Sequence, residues 1–218
     1  MKDKTLIIVL AILAIYFGLT NFGGQVGARI MYPLKLFVTF LHEFGHALGA
    51  LMTGGRVVNF DINSDGSGLT ASAGGNRAII LMGGYIGSAI LGNILFFIGA
   101  RKQKWAKATI YVVAASMVLV TFFWVRDVFA IGFLIAFSLG LIAIAKYTKW
   151  DRVVLMFLGL ASILHIIQDF NVGPTSDLAA YAKIFKLVPV NVWMYVWLII
   201  VVVLFIWNIR IILRTKPG

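Results

Sequence analysis

The sequence predicts an all-α polytopic membrane protein with about seven transmembrane helices and a short β-hairpin between the second and the third. Hydrophobic residues make up 61% of the 218 residues, charged residues make up only 12%, and the mean hydropathy is +0.97. Such a balance lies far outside the range of soluble domains. Apolar runs near the bilayer-spanning length of roughly 20 residues recur along the chain. We therefore expect one integral membrane domain over residues 1–218.

The first part of the chain carries two predicted spans and the hairpin. An apolar run over 5–19 gives the first span, and a run over 33–53 that begins at a proline and ends at two glycines gives the second. Two β-branched stretches then flank N-S-D-G-S, a sequence with strong turn chemistry. They predict a β-hairpin over 56–73.

Five further apolar runs predict the remaining spans. They cover residues 78–100, 108–125, 128–145, 153–168 and 192–213. The first of them is rich in glycine, and its G-x-x-x-G spacing, like that of Gly45 and Gly49 in the second span, favours close approach of two membrane helices. A polar break followed by a short helix over 169–185 separates the last two spans.

The formal net charge of +11 comes from lysines and arginines that stand in short groups between the apolar runs. This placement is typical of topology signals rather than of a nucleic-acid surface, so no nucleic-acid partner is expected. Counted over seven spans, the basic residues favour an amino terminus on the outside, whereas Lys2 and Lys4 before the first span favour the inside. The absence of cysteine excludes disulfides and thiolate metal ligands.

Three ionisable residues of the second span carry the chemistry. The chain has three histidines and one glutamate, and His42, Glu43 and His46 fall within five consecutive residues. At positions i and i+4 the two imidazoles share one helix face and can reach one metal ion, with the carboxylate beside them. A charged group in lipid costs several kcal/mol, so it requires a polar cavity, a metal or a partner. Two histidines held by hydrogen bonds inside a helix bundle are the alternative.

This pattern predicts a zinc site for hydrolysis. Three protein ligands and an open fourth position would hold a water molecule whose pKa falls to about 7, and Glu43 would act as the general base. The third ligand would come from Asp127, His165, Asp169 or Asp177, and spacing alone does not choose. Asp127 follows an arginine and is better explained as an ion pair or a topology marker. His165 and Asp169, at i and i+4, could be a ligand with a supporting carboxylate or a pair that satisfies itself.

Residues 42–55, H-E-F-G-H-A-L-G-A-L-M-T-G-G, resemble the site-2 protease class of intramembrane zinc metalloproteases, particularly its M50B-like branch. Residues 67–70 resemble the G-x-T hairpin of that branch, and residues 84–87 resemble its G-Y-x-G helix. Residues 176–179 resemble its S-D-A block, although Leu178 stands where alanine is usual. The resemblance implies a zinc-dependent endopeptidase that cleaves membrane-protein substrates.

The resemblance also implies further site residues. In site-2 proteases the third zinc ligand is an aspartate in an N-x-x-P-x-D-G type segment, which Asn171, Pro174 and Asp177 resemble with one extra residue and without the glycine. Asp177 is therefore the expected ligand and Asp169 the alternative. Asn93 is a candidate substrate-contacting residue, as asparagine is in the corresponding helix of the class, or else makes an interhelical hydrogen bond.

The expected protein is thus a multi-pass protease of the cell (plasma) membrane, with a membrane-protein or peptide substrate and with zinc as cofactor. The hairpin would add an unwound substrate segment to its strand edge. The alternative function is a non-proteolytic membrane protein, a transporter or an inactive scaffold, that uses the same residues as a metal or proton site. The sequence identifies no partner subunit.

Overall fold

The computed structural model describes residues 2–214, apart from the side chains of residues 2–4, 103 and 213. The helices are α1 (Lys2–Phe22), α2 (Gly24–Met52), α3 (Arg77–Met82), α4 (Ser88–Arg101), α5 (Gln103–Trp124), α6 (Val128–Tyr147), α7 (Asp151–Gln168), α8 (Asp177–Ile184) and α9 (Val190–Arg214). One π-helical turn, Gly83–Gly87, joins α3 to α4, and strands β1 (Arg56–Ile62) and β2 (Gly68–Ala73) follow α2. The predicted helical membrane fold with one short hairpin is confirmed.

Within residues 2–214, six helical segments are long and apolar enough to cross a bilayer. They are Thr5–Phe22, Arg77–Arg101, Lys104–Trp124, Val128–Tyr147, Asp151–Gln168 and Val190–Ile212. The seven predicted spans correspond to these six segments and α2. The α2 helix is less apolar than the others because it carries Arg29 and Lys35 in addition to the histidines and the glutamate.

Contacts near the two ends of α7 fix the directions of α1 and α4. Near the start of α7, Arg152 Nε donates a hydrogen bond to the carbonyl oxygen of Gly99 at 3.0 Å, and its guanidinium also donates to the Thr5 hydroxyl. At the end of α7, the Tyr16 hydroxyl donates to Gln168 Oε1 at 3.1 Å. Helix α1 is therefore parallel to α7, and α4 is antiparallel to both.

These directions determine how α2 lies in the protein. Helix α1 ends toward the face opposite Arg152, and α3 begins toward that same face. Helix α2 and the hairpin connect the end of α1 to the start of α3. The Thr53 hydroxyl after α2 accepts a hydrogen bond from the Asn76 amide before α3 at 2.9 Å. Helix α2 thus begins and ends toward the same face.

The hairpin lies against α2. Its strands are antiparallel, from Arg56 opposite Ala73 to Ile62 opposite Gly68, with a register shift between Val57 and Asn59. Three side chains of α2 donate hydrogen bonds to carbonyl oxygens of the turn. The pairs are Tyr32 to Ser64 (2.6 Å), Lys35 to Asp65 (2.8 Å) and Thr39 to Gly66 (2.7 Å). The hairpin and α2 therefore form one unit.

Most lysines and arginines of residues 2–214 lie toward the face that contains Arg152, which we call the basic face. They are Lys2, Lys4, Arg101, Lys102, Lys104, Lys107, Lys146, Lys149, Arg152, Arg210 and Arg214. Helix α2 begins and ends at the opposite face and so does not count as a crossing. The start of α1, with Lys2 and Lys4, therefore lies at the basic face. The two orientation cues of the sequence therefore agree.

The positive-inside rule predicts that the basic face lies in the cytoplasm. The chain has no cysteine, so single cysteines can be introduced without background. We expect Lys186→Cys, on the opposite face, to react with a membrane-impermeant maleimide in intact cells and Thr148→Cys, on the basic face, to react only after lysis. The reverse labelling pattern would contradict the orientation.

Candidate metal centre

Helix α2 presents the two histidines side by side. Their ring centroids are 4.8 Å apart and the ring planes are nearly perpendicular, at 80°. His46 Nδ1 lies 2.7 Å from the carbonyl oxygen of Ile80, so it carries the proton and donates. This contact fixes the ring and directs Nε2 at the site, which is the usual arrangement of metal-binding histidines.

Asp177 joins the histidines from the other end of the chain. It is the first residue of α8, whose start is capped by the Ser176 hydroxyl, which accepts from the Ala179 amide at 3.2 Å. Asp177 Oδ2 lies 2.9 Å from His42 Nε2 and 3.1 Å from His46 Nε2. The ligand atoms of the three residues lie within 4.8 Å of one another, so the group could hold a metal ion.

The charge state of Asp177 suits a ligand. A bound metal ion would replace the protons on Nε2 of both histidines. Without it, burial acts to raise the pKa of the Asp177 carboxyl, but hydrogen bonds from these Nε2–H groups and the attraction of His42 and His46 hold that pKa below its usual range. The carboxylate is therefore ionised, as metal coordination requires.

Glu43 contributes an unpaired carboxylate oxygen to the same site. The residue is 5% exposed, and its Oε2 is buried without a hydrogen-bond partner in the part of the chain that the structure describes. The other oxygen lies against Gly68, where a Cβ atom would come within 2.7 Å of Oε1. A buried carboxylate oxygen without a partner is costly, so the site favours a ligand that brings a proton, such as water.

Glycines bring the backbone of the π turn against α2. A Cβ atom on Gly45 would lie 1.9 Å from the carbonyl oxygen of Gly83, so the two backbones touch. A Cβ atom on Gly84 would lie 2.5 Å from His42 Nε2 and 2.6 Å from His46 Nε2. The predicted close approach of the second and third apolar runs is therefore confirmed, and it leaves room for the imidazoles. Single π turns are frequent at functional sites.

A cavity of about 250 Å³ opens onto these groups. Its walls come from α2, β2, α3, the π turn and the segment that leads into α8, and they include Leu69, Thr70, Tyr85, Asn171 and Thr175. Strand β2 therefore lines the site directly, whereas no residue of β1 does. A peptide segment that enters this cavity would lie along β2 and beside Glu43.

Tyr85 is a site residue that the sequence analysis missed as such. Its ring meets the His42 ring edge to face, with centroids 4.8 Å apart, and stacks on Phe170 at 4.7 Å. Its hydroxyl donates to the carbonyl oxygen of Asp169 at 3.2 Å and accepts from the Asn171 amide at 3.3 Å. Tyr85 thus joins a histidine to the loop that leads to Asp177. The G-Y-x-G pattern was the available signal.

The other ligand candidates lie elsewhere. Asp169 is exposed at the end of α7 and does not line the cavity, and no hydrogen bond joins its side chain to His165 among the described residues. His165 faces a separate cavity between α1 and α2, together with Lys35. The expected ion pair of Asp127 is replaced by a helix cap, because its carboxylate accepts from the Ala130 amide at 2.9 Å at the start of α6.

Asn93 lies at the contact between α4 and α9. Its side chain is buried, donates to the Ala89 carbonyl oxygen at 2.9 Å and accepts from Asn208 Nδ2 at 2.9 Å. It does not line the cavity beside Glu43. These contacts favour the interhelical hydrogen bond over substrate contact.

The chain matches the Peptidase M50B-like family over residues 5–208. It belongs to that family. No curated protein and no solved structure matches this M50B-like chain significantly. The family resemblance drawn from residues 42–55 is confirmed, and with the six apolar segments it identifies an integral membrane protein of a peptidase family.

The donor atoms of this M50B-like protein suit zinc. Two imidazole nitrogens and one carboxylate oxygen form a ligand set that zinc accepts, and three protein ligands leave a position open for water. The group His42, His46 and Asp177 borders the cavity, so that position would face the space into which a substrate could enter.

Proposed function

We propose that this M50B-like protein is an intramembrane zinc metalloprotease of the cell membrane that hydrolyses peptide bonds in membrane-protein segments. The observation that supports it best is the convergence of His42, His46 and Asp177 on one point of a cavity that also holds the unpaired oxygen of Glu43. When bound there, zinc would supply Lewis acidity and lower the pKa of its water to about 7.

The protein groups have distinct roles in this reaction. Glu43 Oε2 takes a proton from the attacking water and later delivers it to the amine of the leaving peptide. Its burial and the contact of Oε1 with Gly68 hold the carboxylate in one place. His46 keeps its Nε2 directed at the site because Nδ1 donates to the carbonyl oxygen of Ile80. Tyr85 supports the ring of His42.

Replacement of Glu43 by alanine tests the proposal. We expect Glu43→Ala to retain one zinc per chain in detergent and to cleave a transmembrane test substrate at least about 100-fold more slowly than the wild type, because the general base is lost. Zinc content by mass spectrometry and cleavage by gel assay are measured on the same preparations. Zinc binding without any cleavage that depends on Glu43 would refute the protease and favour a transporter or an inactive scaffold.

Strand β2 is suited to hold the substrate. A peptide in a membrane helix hides its own amides, so cleavage requires local unwinding, and the freed backbone groups need partners where lipid offers none. The Asn63 amide donates to Ser67, and the strand register then directs the amides of Gly68 and Thr70 away from β1. These groups lie at the cavity, where a substrate segment can pair with them.

A proline at Thr70 tests this pairing. Thr70→Pro removes the outward amide, and edge strands tolerate proline. Thr70→Val is the matched control, because it also loses the hydroxyl that donates to the Glu43 carbonyl oxygen but keeps the amide. At equal zinc content, we expect cleavage by Thr70→Pro to be at least about tenfold slower than by Thr70→Val, because one or two hydrogen bonds to the substrate are lost. Equal rates would refute the pairing.

A further inference from the structure

Arg101 is a buried cation at the end of α4, and two of its nitrogen atoms have no partner among the described residues. The residue is 6% exposed, and its Nε and Nη2 atoms are buried without a hydrogen-bond partner. A guanidinium has five N–H donors and does not lose its charge in proteins. Burial of such unpaired donors is costly, so the position favours an acceptor from outside the chain.

Arg152 stands beside Arg101 at the start of α7. Close packing of the two helices brings them together, because a Cβ atom on Gly99 would lie 2.8 Å from the carbonyl oxygen of Arg152. The two positive charges repel each other. Arg152 donates hydrogen bonds to the carbonyl oxygen of Gly99 and to the Thr5 hydroxyl. Neither arginine has an ion pair with an acidic group in the described part of the chain. An anion between them would turn the repulsion into attraction.

The surroundings place this arginine pair at the level of lipid headgroups. Trp105, Tyr147 and Trp150 lie at the same ends of neighbouring helices and are largely exposed, at 57%, 75% and 66%. Exposed tryptophan and tyrosine of membrane proteins concentrate at the boundary between lipid and water. Most of the lysines and arginines of the basic face lie here as well. An anionic lipid therefore presents its phosphate at the right depth.

We propose that Arg101 and Arg152 form a binding site for the phosphate group of an anionic lipid. Guanidinium groups bind phosphate oxygens through paired hydrogen bonds, and basic pockets between membrane helices bind lipid headgroups. The site joins α1, α4 and α7 at the end of the bundle away from His42 and Glu43, so the bound lipid would hold these helices together. A free phosphate ion has the same chemistry and is the competing source.

The test uses the full chain, purified without lipid in a neutral detergent. Binding is followed by the shift of the thermal unfolding midpoint on titration with phosphatidylglycerol, with phosphatidylcholine or with inorganic phosphate. We expect phosphatidylglycerol to bind, the other two to have little effect, and Arg101→Gln to weaken binding at least about tenfold. The matched control is Lys102→Gln, which removes an exposed charge from the same face and should cost no more than about fivefold.

Further variants separate the remaining outcomes. Arg152→Gln should weaken binding like Arg101→Gln, and it serves if the latter does not fold. Equal effects of Arg101→Gln and Lys102→Gln would overturn the site in favour of a diffuse surface attraction. Inorganic phosphate that binds as tightly as the lipid would overturn the lipid as the ligand. A wild type indifferent to phosphatidylglycerol would overturn the proposal altogether, as expected if a carboxylate of the chain neutralises the pair.

Discussion

Replacement of Gly84 by alanine is expected to abolish metal binding and cleavage together. The added methyl group would lie 2.5 Å from His42 Nε2 and 2.6 Å from His46 Nε2, the two atoms assigned as ligands. Retreat of the turn from α2 would give up the close packing of Gly83 against Gly45. We therefore expect zinc affinity to fall by about 100-fold or more, the upper range for changes beside metal ligands.

The measurement is a zinc titration of the purified variant with a competing chelator, followed by the cleavage assay. Gly87→Ala is the matched control in the same π turn, because its Cβ atom would meet Gly45 Cα at 3.5 Å, an ordinary contact. A Gly84→Ala variant with the zinc affinity of the wild type would show that the imidazoles bind metal elsewhere, and the assigned ligand geometry would then be wrong.

The second large effect is expected at Asp177. Asp177→Asn removes the negative charge that faces both imidazoles and replaces the carboxylate by a much weaker zinc ligand. We expect zinc affinity to fall by about two orders of magnitude and cleavage to be lost. The fold should persist, because the start of α8 is capped by Ser176 and not by Asp177.

Asp169→Asn provides the contrast for that experiment. Asp169 contributes its carbonyl oxygen to Tyr85, and the exposed side chain lines no part of the cavity. We expect this variant to keep zinc and to cleave at close to the rate of the wild type. Loss of zinc from Asp169→Asn with retention in Asp177→Asn would make the alternative ligand the right one.

Local patterns predicted the parts of the site that are close in sequence. The histidines lie one helical turn apart, so a helix alone brings them together, and the N-S-D-G-S turn defines the hairpin without any distant contact. Asp177 is different, because it meets His42 across 135 residues of chain. Only the family resemblance favoured Asp177 over Asp169 as the third ligand. The path of α7 and of the loop after it decides which of the two carboxylates reaches the histidines.

Two further features depended on packing that the sequence does not show. Arg101 stands at the end of an apolar run, where a basic residue is normally a solvated topology signal, and only the close contact of α4 with α7 reveals that it is buried. The length of α2 suggested a helix that crosses the bilayer. Its direction became clear only from the contacts of α1 with α7, which place its two ends toward one face.

The return of α2 to its starting side has a consequence for how such a protein can change. Residues 24–76 leave one face of the bundle and come back to it, so their length has no influence on whether any later helix points up or down. Segments could be added to or removed from this excursion while α4 to α9 keep their orientation. Helix α2, which carries two of the three candidate metal ligands, is thus free of the constraint that each transmembrane helix reverses the direction of the helices after it.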